Sequence, residues 1–186
     1  MIEIFTTLGR RLATFATDTA TEPIIERAMA DNAWFTREDI CYAVEAIRHK
    51  MLDAKALEAW RGQYPIANTP RRVALIMAGN IPLVGFFDLM CVVLSGHKCY
   101  VKPSSKDRVL MRYIIDLLRD IDPEIAIYDY SADEEYDMLI ATGSDTTVEH
   151  FNTHYPTTRR LLRGSRHSIA VLDGSESEEE LSALTR

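Results

Sequence analysis

Residues 72–105, RVALIMAGNIPLVGFFDLMCVVLSGHKCYVKPSS, decide the fold. Val73–Ala78 is a short, continuous apolar run, which is typical of a strand buried on both faces. An apolar helix is predicted from Pro82 to Leu94, closed by Gly96, and Lys98–Lys102 is predicted as a second strand. Alternating strands and helices with short connections indicate a parallel sheet.

The same alternation continues toward the C-terminus. Apolar runs and helical periodicity predict the helices 107–118 and 145–154 and the strands 125–128, 136–141, 160–162 and Ser168–Leu172. The predicted fold class is therefore α/β, with a Rossmann-like, mostly parallel sheet over residues 71–174 and helices on both of its faces.

A helical N-terminal layer is predicted over residues 1–62. Thr36 is followed by Arg37-Glu38-Asp39 and is a good N-cap for a helix that Gly62 and Pro65 end. Residues 63–72 contain two prolines and are interpreted as a linker. Residues 175–186 are interpreted as the start of a helix that the end of the chain truncates.

The composition is that of an ordinary globular chain. Of 186 residues, 47% are hydrophobic and 26% are charged, which excludes disorder as the main state. The formal net charge is −7 and no run of Lys or Arg supplies a basic face, so we expect no nucleic-acid partner. The longest apolar run, residues 81–94, is interrupted by Pro, Gly and Asp and is too short for a membrane span.

Cysteine and histidine usage indicates no metal site. The cysteines are odd in number, match no zinc pattern and fit a reducing, cytoplasmic setting: Cys41, Cys91 and Cys99. All three fall in apolar elements and are interpreted as packing residues. The N-terminus lacks the apolar region of a secretory signal. His150 and His154 have a spacing that could chelate a metal, but no partner ligand is evident.

Two turns that follow predicted strands have the composition of ligand-binding loops. In the first, Gly79 allows close backbone approach, and the amide of Asn80 can cap the next helix or donate to a ligand oxygen. In the other, Gly143 and Ser144 precede a helix whose first N–H groups attract anions. A plain strand–helix turn with an Asn cap remains the alternative for the first of them. Neither G-x-G-x-x-G nor G-x-x-x-x-G-K-[ST] occurs in the chain.

A further turn lies at the end of the second predicted strand. Lys102 projects from the strand end, Pro103 fixes the backbone, and Ser104 and Ser105 offer hydroxyl groups that suit a ribose or a phosphate. A solvated strand end with a capping serine is the alternative. A nearby basic cluster could meet ligand phosphates or serve only solubility: Arg159, Arg160, Arg163 and Arg166.

Taken in order, these turns resemble the cofactor domain of the aldehyde dehydrogenase superfamily. The segments are AGNIPLVGF (78–86), LSGHKCYVKPSS (94–105) and DMLIATGSD (137–145). The likeness is greatest to the acyl-CoA reductase branch, which is related to the fatty acyl-CoA reductase of bacterial bioluminescence. RRLLRGSRHSIAVLDGSES (159–177) is similar to that branch's continuation. The resemblance covers residues 71–176.

The resemblance implies roles for individual residues. Asn80 matches the asparagine whose amide stabilises the oxyanion of the thioester adduct. Lys102 matches the lysine that holds the adenosine ribose, and Gly143 and Ser144 match the turn that meets the pyrophosphate. Members of this branch take NADPH and reduce a long-chain acyl thioester to the aldehyde.

Three departures from the superfamily pattern refine this expectation. Ser105 stands where a glutamate often binds both ribose hydroxyls, which favours NADP and leaves NAD as the alternative. The general-base glutamate of hydrolysing members would fall near Leu161, which argues against oxidation to a free acid. The family's nucleophilic cysteine would come after the last residue of this chain.

The function implied by the resemblance is the NADPH-binding portion of an acyl-CoA reductase, an oxidoreductase. Acyl-CoA or another acyl thioester is the expected substrate, and the full protein could be a homo-oligomer. The 186-residue chain alone is expected to be inactive. Two alternatives stay open: a stand-alone nucleotide-binding or regulatory module without catalysis, and an α/β domain that binds another small ligand.

Overall fold

Five parallel strands form the centre of the molecule. The structure is a computed structural model and describes residues 1–166 and 169–184. Their order in the sheet is β3-β2-β1-β4-β5, and every neighbouring pair is parallel, which confirms the predicted sheet. The strands are β1 (Arg72–Ile76), β2 (Lys98–Lys102), β3 (Ile127–Asp129), β4 (Met138–Thr142) and β5 (Arg159–Arg163). The strand predicted over Ser168–Leu172 is absent from residues 169–172, and Ser168 lies outside the described residues.

Helices precede the sheet and connect its strands. They are α1 (Ile2–Arg11), α2 (Glu22–Asp31), α3 (Arg37–Lys50), α4 (Ala54–Gln63), α5 (Phe86–Leu94), α6 (Arg108–Ile121), α7 (Asp145–His154) and α8 (Glu178–Leu184). Thr36 caps α3 in a capping box with Asp39, as predicted. The prediction of a single helix that runs on to Gly62 is wrong, because α3 ends at Lys50. A separate helix, α4, follows, and the Asp53 carboxylate caps its start by accepting the Ala56 N–H at 3.0 Å.

Alternate residues of β1 point into two different cores. Val73 and Leu75 belong to the larger core, which is continuous with the N-terminal helices, α5 and α6. Ala74 and Ile76 belong to a smaller core on the opposite face, which α7 covers through Phe151. Burial on both faces explains why β1 is an unbroken apolar run in the sequence. Helices therefore lie on both faces, as predicted.

The turn between β1 and α5 differs from the prediction. The helix begins at Phe86 instead of Pro82, because residues 81–85 form an irregular turn in which Leu83 has a φ of 58°. At its other end, α5 closes as predicted at Gly96. Gly96 has a φ of 82°, and the N–H groups of Gly96 and His97 donate to the carbonyls of Val93 and Val92, which is a Schellman motif.

Candidate functional site

The carboxyl ends of β1, β2, β4 and β5 open into one groove of about 1220 Å³. In open α/β sheets this edge is where ligands bind. All eight residues predicted from the three turns line it: Gly79, Asn80, Lys102, Pro103, Ser104, Ser105, Gly143 and Ser144. Their convergence is an observation, and their individual roles toward a ligand stay predictions.

The groove is cationic although the chain as a whole is acidic. Among its described lining residues, none is Asp or Glu, whereas four are Lys or Arg: Lys102, Lys106, Arg163 and Arg166. This contrasts with the chain's formal net charge of −7, although Arg163 is paired with Asp88. A concave site with one sign of charge attracts ligands of the opposite sign, here anionic groups such as phosphates.

The β1 turn and the β2 loop are in direct contact at the groove floor. A Cβ atom added to Gly79 would lie 2.5 Å from the Ser104 Oγ and 2.6 Å from the Ser104 Cβ. Only glycine fits at this position without displacing the β2 loop. The sequence motif predicted close backbone approach at Gly79, and the structure shows that the approaching group within the chain is Ser104.

Asn80 does not cap a helix in this structure. The residue is exposed at the groove, and its side chain has no hydrogen-bond partner among the described residues. The helix-cap alternative fails because α5 begins at Phe86, with Gly85 at the capping position. The Asn80 amide therefore retains two N–H donors for a ligand oxygen.

Lys102 presents its ammonium group at the groove beside two aromatic rings. The Nζ atom lies 5.8 Å from the ring centroid of Tyr130 and 6.0 Å from that of Phe151. Cation–π attraction at this range holds the ammonium over the rings while leaving its N–H donors available. The Ser104 hydroxyl accepts the Lys106 N–H at 3.3 Å, whereas Ser105 is exposed.

The Gly143-Ser144 turn leads directly into α7. The Ser144 Oγ accepts the Thr147 N–H at 3.3 Å, and the Gly143 N–H donates to the Arg163 carbonyl at 3.1 Å. Ser144, Thr146 and Thr147 all line the groove, so the first turn of α7 faces it. The positive end of the helix dipole adds to the cationic character of this end of the groove.

The predicted basic cluster is divided by the structure. Arg163 and Arg166 line the groove, whereas Arg160 binds the Asn152 side chain and the Tyr155 carbonyl on the flank of α7. Arg159 does not line the groove either. Arg163 also pairs with Asp88, a partner that sequence reasoning did not identify because the two residues are 75 positions apart.

Two buried polar residues beneath the groove were missed by the sequence analysis. Asn32 bridges the Gly79 and Lys106 carbonyls, and Asp107 accepts the Leu83 N–H at 2.8 Å. Burial raises the pKa of Asp107 to about 7. Asn32 follows α2 in an ordinary polar stretch, and Asp107 precedes α6 as a capping residue would, so neither pattern reveals a long-range contact.

None of the three cysteines lines the groove. Cys99 is fully buried in β2, and burial strongly raises the pKa of its thiol. Burial also raises the pKa of Cys91, on α5, to about 11. Neither thiol is therefore in a setting that favours the thiolate.

The structure describes residues 1–166 and 169–184. These residues contain no group of three or more His, Cys, Asp or Glu placed to hold a metal ion. Over the same residues, no helix has the length and apolar character needed to cross a membrane.

The sheet and its helices share their fold with a solved aldehyde dehydrogenase. Betaine aldehyde dehydrogenase from Staphylococcus aureus, solved in complex with NAD⁺, superimposes with a TM-score of 0.67 at 14% identity, over 88% of this chain and 37% of that enzyme. An apo form of the same enzyme gives a TM-score of 0.68. The predicted α/β fold with a Rossmann-like parallel sheet is therefore confirmed.

The sequence shows the family to which the chain belongs. Residues 12–185 match the acyl-CoA reductase (LuxC) family, and the chain belongs to it. Long-chain acyl-protein thioester reductase 2 of Photobacterium leiognathi is 26% identical over 115 residues, which are 53% of this chain and 24% of that protein. The corresponding reductase of Aliivibrio fischeri is 23% identical over 155 residues, 73% of this chain and 32% of that protein. The chain thus spans about a quarter to a third of these relatives.

Proposed function

We propose that this chain is the NADPH-binding portion of an acyl-CoA reductase that converts an acyl thioester into an aldehyde. The supporting observation is the single cationic groove in which the three family turns converge, with no carboxylate among its described lining residues. The overall reaction consumes one thioester, one NADPH and one proton, and it yields one aldehyde, one thiol and one NADP⁺.

The residues at the groove fit a dinucleotide. The first turn of α7, with Gly143 and Ser144, would hold the pyrophosphate, because backbone N–H groups at a helix start bind anions. Lys102 would hold the adenosine ribose through its ammonium donors. NADPH, when bound, supplies the hydride, and the protein contributes orientation and electrostatics.

Asn80 is proposed as the oxyanion donor. Its exposed amide lies at the same edge of the sheet as the other two turns and has no competing partner among the described residues. An amide N–H aimed at a developing oxyanion stabilises the tetrahedral adduct more than the ground-state carbonyl.

The acyl-accepting thiol is proposed to come from a part of the protein outside residues 1–186. Acyl transfer needs a nucleophile with thiolate character, whereas desolvation raises the thiol pKa of the half-buried Cys91 and of the fully buried Cys99. Cys41 lies on α3 in the N-terminal layer and does not line the groove. The chain alone is therefore expected to bind the cofactor without turnover, in a cytoplasmic setting suited to free thiols.

Preference for NADP over NAD is also part of this proposal. Ser105 is exposed where the superfamily often has a ribose-binding glutamate, and Lys106 follows it at the groove. A 2′-phosphate would meet a hydroxyl and an ammonium group instead of a carboxylate. NAD remains the alternative cofactor, and the ratio of the dissociation constants for NADPH and NADH decides between the two.

Direct titration tests the binding site. NADPH binding is measured by calorimetry with the wild-type chain, Lys102→Ala and Lys98→Ala. Lys98 is the matched control because it is an exposed lysine at the opposite end of the same strand. We expect Lys102→Ala to weaken binding tenfold or more and Lys98→Ala to leave it unchanged. Equal effects of the two substitutions, or no binding by the wild type, would contradict the proposal.

A further inference from the structure

Asn32 connects the N-terminal layer to two groove loops that are far away in sequence. It follows α2, and its side-chain amide donates to the Gly79 carbonyl at 3.3 Å and to the Lys106 carbonyl at 3.2 Å. Its Oδ1 accepts the Trp34 N–H at 3.1 Å. Asn32 is only 5% exposed, so water competes little for these contacts.

Asp107 makes a second connection between the same two loops. It directly follows Lys106, is 2% exposed, and accepts the Leu83 N–H through Oδ2. Leu83 has a φ of 58°, a left-handed conformation that is unfavourable for a branched side chain. The Asp107 Oδ1 has no hydrogen-bond partner within residues 1–166 and 169–184. The Asp107 carboxyl therefore serves chiefly to hold this turn.

The contacts made by Asn32 and Asp107 lie on either side of the loop residues proposed to face the ligand. Asn80 lies between Gly79 and Leu83 on one loop, and Ser105 lies between Lys102 and Lys106 on the other. Asn32 reaches the start of the first loop, and Asp107 reaches its far end. On the second loop, Asn32 contacts the Lys106 carbonyl, and Asp107 is the next residue of that loop. The two connections therefore restrain movement of the Asn80 turn relative to the Lys102 loop.

We propose that Asn32 and Asp107 are positioning residues that lock the Asn80 turn and the Lys102–Lys106 loop into one relative arrangement. This inference rests on the proposed function only in naming the purpose, which is to place the oxyanion donor and the cofactor-binding loop for one catalytic event. Preorganisation of this kind raises affinity by lowering the conformational cost of binding. It also gives the N-terminal helices a role at the site.

Amide hydrogen exchange on the ligand-free chain tests the lock itself. Asn32→Ala should accelerate exchange tenfold or more in the amides of residues 79–81, 83–85 and 104–107 and leave the amides of β1 and β4 unchanged. Asn152→Ala is the matched control, because Asn152 is an exposed asparagine on α7 that bonds only Arg160 among the described residues. Uniform acceleration that includes the sheet, or no local acceleration, would overturn the proposal.

Asp107 provides an independent pair of variants if Asn32→Ala does not fold. Asp107→Asn keeps an oxygen acceptor for the Leu83 N–H, whereas Asp107→Ala removes it. We expect the Leu83 amide to exchange at least tenfold faster in Asp107→Ala and to retain its protection in Asp107→Asn. Equal protection in the two variants would refute the positioning role, since mere volume at this site would then suffice.

NADPH titration of the same variants separates this inference from the proposed function. A wild-type chain that binds no dinucleotide would refute the proposed function, while the exchange results would still decide whether the loops are locked. If the wild type binds, we expect Asn32→Ala and Asp107→Ala to weaken binding tenfold or more and Asp107→Asn to restore it. Unchanged affinity in the presence of loosened loops would overturn the positioning role.

Discussion

The guanidinium group of Arg163 binds both carboxylate oxygens of Asp88, with N–O distances of 2.6 and 3.0 Å. Arg163 ends the edge strand β5, and Asp88 lies in the first turn of α5, so the pair ties the strand beside α7 to the helix that follows the Asn80 turn. The side chains are 32% and 14% exposed. The hydrogen bonds to Asp88 raise the pKa of Arg163.

Loss of Arg163 should destabilise the fold substantially. Arg163→Ala leaves the largely buried Asp88 carboxylate without its partner, and we expect the free energy of unfolding to fall by about 2–4 kcal/mol. Arg112→Ala is the control, because Arg112 pairs with Asp129 at an exposed site, where such a pair contributes less than about 1 kcal/mol. Denaturant titration measures both, and similar losses would contradict the structural role of the Arg163 pair.

Asp107 should make stability depend on pH in the direction opposite to that of an ion-paired carboxylate. Burial raises its pKa from 3.8 to about 7 in the folded chain, so the folded state binds a proton that the unfolded state releases above pH 4. Its contribution is fully present below about pH 4 and is lost as the pH rises to about 7, with a change on the order of 2–4 kcal/mol.

The Asp107 contribution is isolated by comparing the pH profiles of three chains. Unfolding free energies are measured between pH 4 and 8 for the wild type, Asp107→Asn and Asp122→Asn, the last altering a carboxylate at the opposite end of α6. Relative to wild type, Asp107→Asn should become progressively more stable as the pH rises to 7. A parallel profile for Asp107→Asn would show that this carboxyl titrates normally.

Cofactor preference should respond to a carboxylate at position 105. Ser105→Glu would repel a 2′-phosphate by on the order of 1–3 kcal/mol at a partly solvated site, which is roughly tenfold or more in affinity. The variant should therefore shift from NADPH toward NADH. Thr153→Glu adds the same charge at an exposed position of α7 outside the groove and serves as the control. A wild type that prefers NADH, or an unchanged ratio in Ser105→Glu, would refute this residue assignment.

A side chain at Gly79 should be tolerated only if Ser104 is reduced. Gly79→Ala would place its Cβ within 2.6 Å of two Ser104 atoms, and we expect a loss of about 1–3 kcal/mol in unfolding free energy. Adding Ser104→Gly should recover much of that loss. Gly62→Ala, where a Cβ meets nothing within 4 Å in α4, should be neutral or stabilising by up to about 1 kcal/mol. Additive effects of the Gly79 and Ser104 substitutions would exclude a direct clash.

Residues 1–186 alone should show no reduction of an acyl-CoA by NADPH. The thiols of Cys91 and Cys99 are held in the protonated form by burial, and no cysteine lines the groove. NADPH absorbance is followed in the presence of a long-chain acyl-CoA, with a Cys41→Ser variant in parallel because Cys41, unlike Cys99, is not fully buried. Turnover that disappears on replacing any of the three cysteines would contradict the proposal that the acyl-accepting thiol lies outside residues 1–186.

Local sequence signals predicted many of the residues that line the groove. Gly79, Asn80, Lys102 and Gly143 were identified because each turn follows a buried strand, and parallel strands bring their carboxyl ends to one edge. The helix after β1 was misplaced by four residues for a nonlocal reason. Leu83 is held at a positive φ by a carboxylate 24 residues later, and no local propensity encodes that contact.

The sequence by itself determined the strand–helix alternation, the parallel sheet and the three turns, because burial on both faces imposes continuous apolar runs and turn chemistry is local. Only the tertiary structure decided which polar groups hold those turns together. Asn32, Asp107 and the Arg163–Asp88 pair act across separations of 24 to 75 residues. Such contacts depend on how α2, α5 and α6 pack against one sheet, and that packing brings together side chains whose sequence neighbours give no sign of their partners.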